Sequence, residues 1–71
     1  MRLPTNPENW TPHHADLAVA EAWRRFDEYE RRIDFSWPQE KQDQCYYPYW
    51  RARQTAAEVF RYVWHREPPL P

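Results

Sequence analysis

The chain has 71 residues, no glycine, eight prolines, thirteen aromatic residues, one cysteine and a formal net charge of −1. That length holds one small domain burying only about 60% of the surface its unfolded chain exposes, while a lone cysteine and the lack of any Cys/His quartet exclude an internal disulfide and a structural zinc site. Without glycine, phosphate-cradling loops, dinucleotide fingerprints and nucleophile elbows lack the residue their φ > 0 or close-approach positions require.

Residues 1–10 read as an extended arm. Pro4, Pro7 and Trp10 recur every three residues, which in a polyproline II helix sets them on one face able to cover a neighbouring helix. Thr11 before Pro12 is a helix entrance, threonine as N-cap and proline at the first helical position. From Ala15, the residues Ala18, Val19, Ala22, Trp23, Phe26, Tyr29 and Ile33 share one arc at 100° per residue, predicting an amphipathic helix over about 12–35. Its opposite face pairs Glu21 with Arg25, Asp27 with Arg31 and Glu28 with Arg32 at i, i+4.

Pro38 disfavours helical geometry at Trp37. Ser36 and Gln39 have capping-box spacing, which predicts a short helical turn at 37–44. A second helix is expected over about 48–66, begun by Pro48 and stopped by the proline-rich tail, residues 67–71. Tyr49, Ala52, Ala56, Ala57, Val59, Phe60, Val63 and Trp64 form its apolar arc. The expected fold is all-α: an antiparallel helical hairpin, one domain over 1–71, with an extended arm and tail.

Tryptophans at 10, 23, 37, 50 and 64 alternate spacings of 13 and 14 residues. Few other identities accompany this period, and it is not taken as a structural repeat.

Two polar residues break the apolar stripes, Glu30 in the first and Arg53 in the second. With Phe35 level with Pro48, Glu30 faces Arg53, and the pair is expected to fix the helix register.

Catalytic chemistry is sparse. Ser36 reads as a cap, and Cys45 as a small apolar residue packed among Tyr46, Tyr47 and Tyr49, with no histidine near it in sequence. His13 with Asp16 is the best-spaced pair of metal ligands, yet it is half a site and no Glu-x-x-His motif completes it. No cofactor is expected. For nucleic acid the charges are too balanced: residues 1–37 carry five basic and seven acidic groups, and residues 38–71 five and four. A phosphate-tracking surface needs uncompensated cations.

The segment Cys45-Tyr46-Tyr47-Pro48-Tyr49-Trp50 is the most distinctive. Tyrosine and tryptophan join large apolar area to a polar tip and dominate interface hot spots. Six consecutive residues cannot all face one small core, so Tyr46, Tyr47, Tyr49 and Trp50, with Trp37 nearby, are the expected partner-binding residues. Pro68-Pro69-Leu70-Pro71 resembles proline-rich ligands of aromatic grooves, and packing against Trp64 or Trp10 is its expected use.

No uncharged stretch exceeds seven residues, too short to span a bilayer, and the N-terminus lacks a signal-peptide core. A cytoplasmic protein is expected. Nine of the ten basic residues are arginine, a bias associated with GC-rich bacterial genomes and their phages. The functional expectation is a non-enzymatic interaction module, an adaptor, inhibitor or accessory subunit, acting on a protein partner or as a homodimer. The alternatives are a small nucleic-acid-associated regulator and a metal- or cofactor-dependent accessory component of an enzyme.

Overall fold

The computed structural model describes residues 2–71; Met1, the first residue of the expected arm, lies outside them. Among the described residues the chain is all-helical. Helices α1 (Pro12–Arg32) and α2 (Gln39–Trp64) pack as a hairpin, preceded by a 3-10 turn at Pro7–Asn9. The molecule measures 43 × 21 × 17 Å.

Helix α1 starts where Thr11 and Pro12 predict. The Thr11 hydroxyl accepts from the His14 N–H at 3.3 Å, and His14 Nδ1 accepts from the Thr11 N–H at 3.0 Å, so histidine closes the reciprocal capping box usually closed by glutamate or glutamine. The helix ends at Arg32, short of the expected 35, as Ile33 turns extended and donates its N–H to the Tyr29 carbonyl. On the outer face Glu21 and Glu28 each bond to both Arg24 and Arg25, at 2.6 to 3.3 Å, and Asp27 pairs with Arg31. The expected Glu28–Arg32 pair is absent among the described residues, because Glu28 is already engaged one turn earlier. Hydrogen bonding from Arg24 leads the effects that hold the Glu21 carboxyl below its usual range, against an opposing effect of partial burial.

The seam sets a row of alanines on α1 against a mixed row of small and large side chains on α2. Ala15, Ala18 and Ala22 of α1 are buried against Ala56, Val59 and Phe60 of α2. Alanine at those positions lets the backbones approach and leaves room for Val59 and Phe60. Towards the connecting loop the seam turns aromatic: Phe26 meets Tyr49 with ring centres 5.1 Å apart, and Tyr29 meets Tyr46 edge-on at 5.3 Å.

The main departure from expectation is the start of α2. In place of a short turn at 37–44 followed by a helix from Pro48, one helix runs from Gln39 through Pro48. Ser36 does not cap it. The Ser36 N–H and hydroxyl both donate to Asp34 Oδ1, at 2.9 and 2.6 Å, forming an Asx turn, and these bonds hold the Asp34 carboxyl below its usual range. The side-chain amide of Gln42 reaches back to the carbonyls of Phe35 and Trp37 and braces the loop. Proline inside a helix removes one hydrogen bond and costs about 3 kcal/mol. Here Tyr46 and Tyr49 flank Pro48 and form four ring contacts with Tyr29, Phe26 and each other. At about 0.5 to 1.5 kcal/mol each beyond their buried area, such contacts offset that cost.

The longer α2 resets the register. Tyr46 and Tyr49 lie opposite Tyr29 and Phe26, roughly two helical turns from the expected alignment. The Glu30–Arg53 pair therefore does not form. Glu30 is exposed, Arg53 is half-buried, and the acidic charge Arg53 influences is that of Glu67 in the tail.

Both chain ends fold back onto the hairpin. The arm is not a polyproline II strand: Asn6 caps the 3-10 turn, and the Trp10 indole donates to the Pro4 carbonyl at 3.0 Å while its ring meets Tyr62 edge-on. Leu3 and Leu70 pack against the buried core from the arm and the tail. Helix α2 ends at Trp64, two residues before the expected limit, and His65 adopts the left-handed conformation at φ 55°, ψ 37°. That position usually takes glycine, and in this glycine-free chain histidine bears the strain.

Candidate functional site

Helix α2 divides the tyrosine-tryptophan cluster between two faces. Tyr49 points into the seam, is 4% exposed, and donates its hydroxyl to the Pro71 main-chain oxygen at 3.0 Å. It is a core residue, which corrects its assignment to a partner surface. Tyr46 lies edge-on to Tyr49 and Tyr29 at the rim of the same aromatic cluster. Tyr47 and Trp50, three residues apart, stack on the outer face at 5.9 Å with a 20° interplanar angle, 52% and 43% exposed. Trp37 stands apart in the connecting loop, half-buried under the Lys41 ammonium at 4.4 Å.

Around the Tyr47–Trp50 pair the outer face is polar. Glu40, Asp43 and Gln44 adjoin Tyr47 on the N-terminal side, and Arg51 on the C-terminal side. Gln39 holds the Asp43 carboxylate at 2.8 Å. Among the described residues, Arg51 has no ion pair. Beside Tyr47 runs a groove of about 680 Å³ between the helices, lined by Leu3, Ala18 and Ala52 together with Glu21, Arg25, Arg51 and Thr55.

Cys45 is half-buried and lines a narrow cleft with Arg25, Glu28, Tyr29 and Arg32 of α1. The cleft sets Cys45 against the charged flank of α1, with Tyr29 beside it. His13 and Asp16 are both exposed on the first turns of α1, and among the described residues no three His, Cys, Asp or Glu side chains converge as a metal site would need. The sequence reading missed Trp23. Assigned to the core stripe, it is 48% exposed and donates its indole N–H to the Pro69 carbonyl at 2.8 Å. Nothing local signals this, since the tail that Trp23 holds lies 46 residues further along the chain.

No family model, curated protein or solved structure matches the chain. Among the described residues, no helix is long and apolar enough to cross a membrane.

Proposed function

We propose that the protein is a non-enzymatic interaction module of the cytoplasm, an adaptor, inhibitor or accessory subunit that binds a protein partner through the outer face of α2. The observation that carries this reading is the stacked, half-exposed Tyr47–Trp50 pair. Stacking holds both rings before a partner arrives, so little side-chain freedom is lost on binding. Flanking acidic and basic groups supply a polar rim around an aromatic centre, the usual anatomy of a hot spot. Tyr49, Phe26 and Tyr29 beneath anchor the helix that presents the pair.

The test is affinity purification from the native host with the wild-type chain and Trp50→Ala side by side. A protein retained by the first, lost with the second, and unaffected by nuclease supports the proposal. Identical captures by both chains refute it.

One observation favours a second reading. Arg51, without an ion pair among the described residues, adjoins Tyr47, and an aromatic platform with a neighbouring cation is how single-stranded nucleic acid is held. Glu40 and Asp43 on the same face repel phosphate and place this reading second. Retention on single-stranded DNA or RNA that falls steeply with salt would reverse the order.

A further inference from the structure

Side chains from both helices hold the tail. After the left-handed His65, Arg61 donates twice to the Glu67 carboxylate, at 3.0 and 2.8 Å, and fixes the direction of return. The chain then crosses both helices. Trp23 of α1 donates its indole N–H to the Pro69 carbonyl, Leu70 packs on the core, and Tyr49 of α2 donates its hydroxyl to the Pro71 main-chain oxygen. An inverse γ-turn, with the Leu70 N–H donating to the Pro68 carbonyl at 3.0 Å, satisfies the one main-chain donor in the Pro-Pro-Leu-Pro segment.

The recognition thus has three elements: an oxygen, an apolar side chain on the next residue, and an oxygen on the one after. Two aromatic donors, one from each helix, read the oxygens. Prolines suit such a site because they bring no N–H to be left unpaired and lose little conformational freedom on docking. Aromatic-lined grooves take proline-rich segments in this manner. None of these contacts requires the segment to belong to the same chain. Covalent attachment adds effective concentration, on the order of millimolar for a short tether.

We propose that the groove between Trp23 and Tyr49 is a binding site for proline-rich peptide segments, closed in the isolated chain by its own tail, and that a Pro-Pro-Leu-Pro type segment of a partner protein displaces the tail. This site is distinct from the Tyr47–Trp50 face and does not depend on the function proposed for it. A ligand competing with the tail binds more weakly by the fraction of molecules whose groove is open, so loosening the tail must strengthen binding in trans.

The probe is a capped synthetic peptide of sequence Glu-Pro-Pro-Leu-Pro, titrated by calorimetry into the full chain and into Leu70→Asp, whose carboxylate does not tolerate the apolar seam. Leu70→Asp should bind at least about tenfold more tightly than the wild type, and adding Trp23→Phe, which keeps the ring and removes the donor, should lose about tenfold. A helical Leu70→Asp chain that binds no better than wild type, or binding indifferent to Trp23→Phe, overturns the proposal. Should Leu70→Asp lose its helical circular dichroism, the wild-type chain decides. Millimolar peptide should shift the Trp23 indole N–H resonance while a peptide with aspartate for leucine does not, and equal or absent shifts overturn the proposal. A wild-type dimer that dissociates on adding Leu70→Asp would assign the groove to the tail of a second copy and overturn the claim of a partner's segment. The titration involves no ligand of the α2 face, so either idea can fail alone.

Discussion

Pro48→Ala should make the protein more stable. Pro48 is exposed in the interior of a continuous 26-residue helix, where its ring deprives the Gln44 carbonyl of an intrahelical partner. Proline in a helix interior is about 3 kcal/mol worse than alanine. Against this, proline restricts the unfolded chain, an advantage of about 0.4 to 1 kcal/mol that alanine forgoes. The difference is a gain of about 2 kcal/mol, which for a domain of this size raises Tm by roughly 8 to 16 °C. Thermal and urea unfolding followed at 222 nm measure it, and an unchanged urea slope would show that stability changed without a change in the surface exposed on unfolding. A neutral or destabilising Pro48→Ala would refute the reasoning. It would mean that the chain bends or breaks at Tyr47–Pro48, as the sequence pattern suggests, and that Tyr46 and Tyr49 do not share one helix face.

The two faces of the aromatic cluster should separate in mutants: Tyr49→Ala should cost about 3 to 5 kcal/mol of stability by urea unfolding, whereas Tyr47→Ala should leave stability nearly unchanged and weaken partner binding by roughly 2 kcal/mol. Glu30→Ala and Arg53→Ala should be additive within about 0.5 kcal/mol, since they do not touch, and a larger coupling in the double mutant would restore the register expected from sequence. Glu67 should titrate below the ordinary glutamate value of about 4.3, because Arg61 hydrogen-bonds its charged form. The tail clasp is then complete above that ordinary value and lost as pH falls through the lower folded one; carboxyl NMR that finds Glu67 ordinary, or unmoved by Arg61→Gln, contradicts the clasp.

Where the determinants are local, the sequence is readable. Thr11-Pro12 marks the start of α1 to the residue, the alanines at 15, 18 and 22 mark its buried stripe, and Pro68-Pro69 announces that α2 must stop. Pro48 misleads because its local effect is real but smaller than the non-local aromatic contacts on either side of it. That one error carries into the register, since moving the start of α2 shifts every facing position and dissolves the Glu30–Arg53 pair. The candidate site was half legible. An outward aromatic face follows from crowding in Cys45–Trp50, and the apolar arc of the second helix already holds Tyr49; its two readings, core and partner surface, conflict, and the structure keeps the first while Tyr47 and Trp50 turn outward. The even spacing of tryptophans has no structural counterpart: Trp10 docks on Tyr62, Trp23 on the tail and Trp50 on Tyr47, while Trp37 lies in the loop under Lys41.

Two helices bury little surface between them, and the described residues hold no third long helix to add to it. The ends add apolar cover to that seam. Leu3 from the arm and Leu70 from the tail reach the core on opposite flanks, since Ala18, beside Leu3, and Trp23, which holds Pro69, lie about 140° apart around α1. Such cover differs from a helix in its attachment. A helix is internally hydrogen-bonded and leaves as a unit, whereas the tail keeps its place by one ion pair, two aromatic donors and one leucine. Local opening at so few contacts takes less free energy than global unfolding, so the tail can leave while the Ala15–Val59 seam persists. The same economy that completes a small core with proline-rich ends therefore leaves an aromatic groove that another segment of the same chemistry can fill.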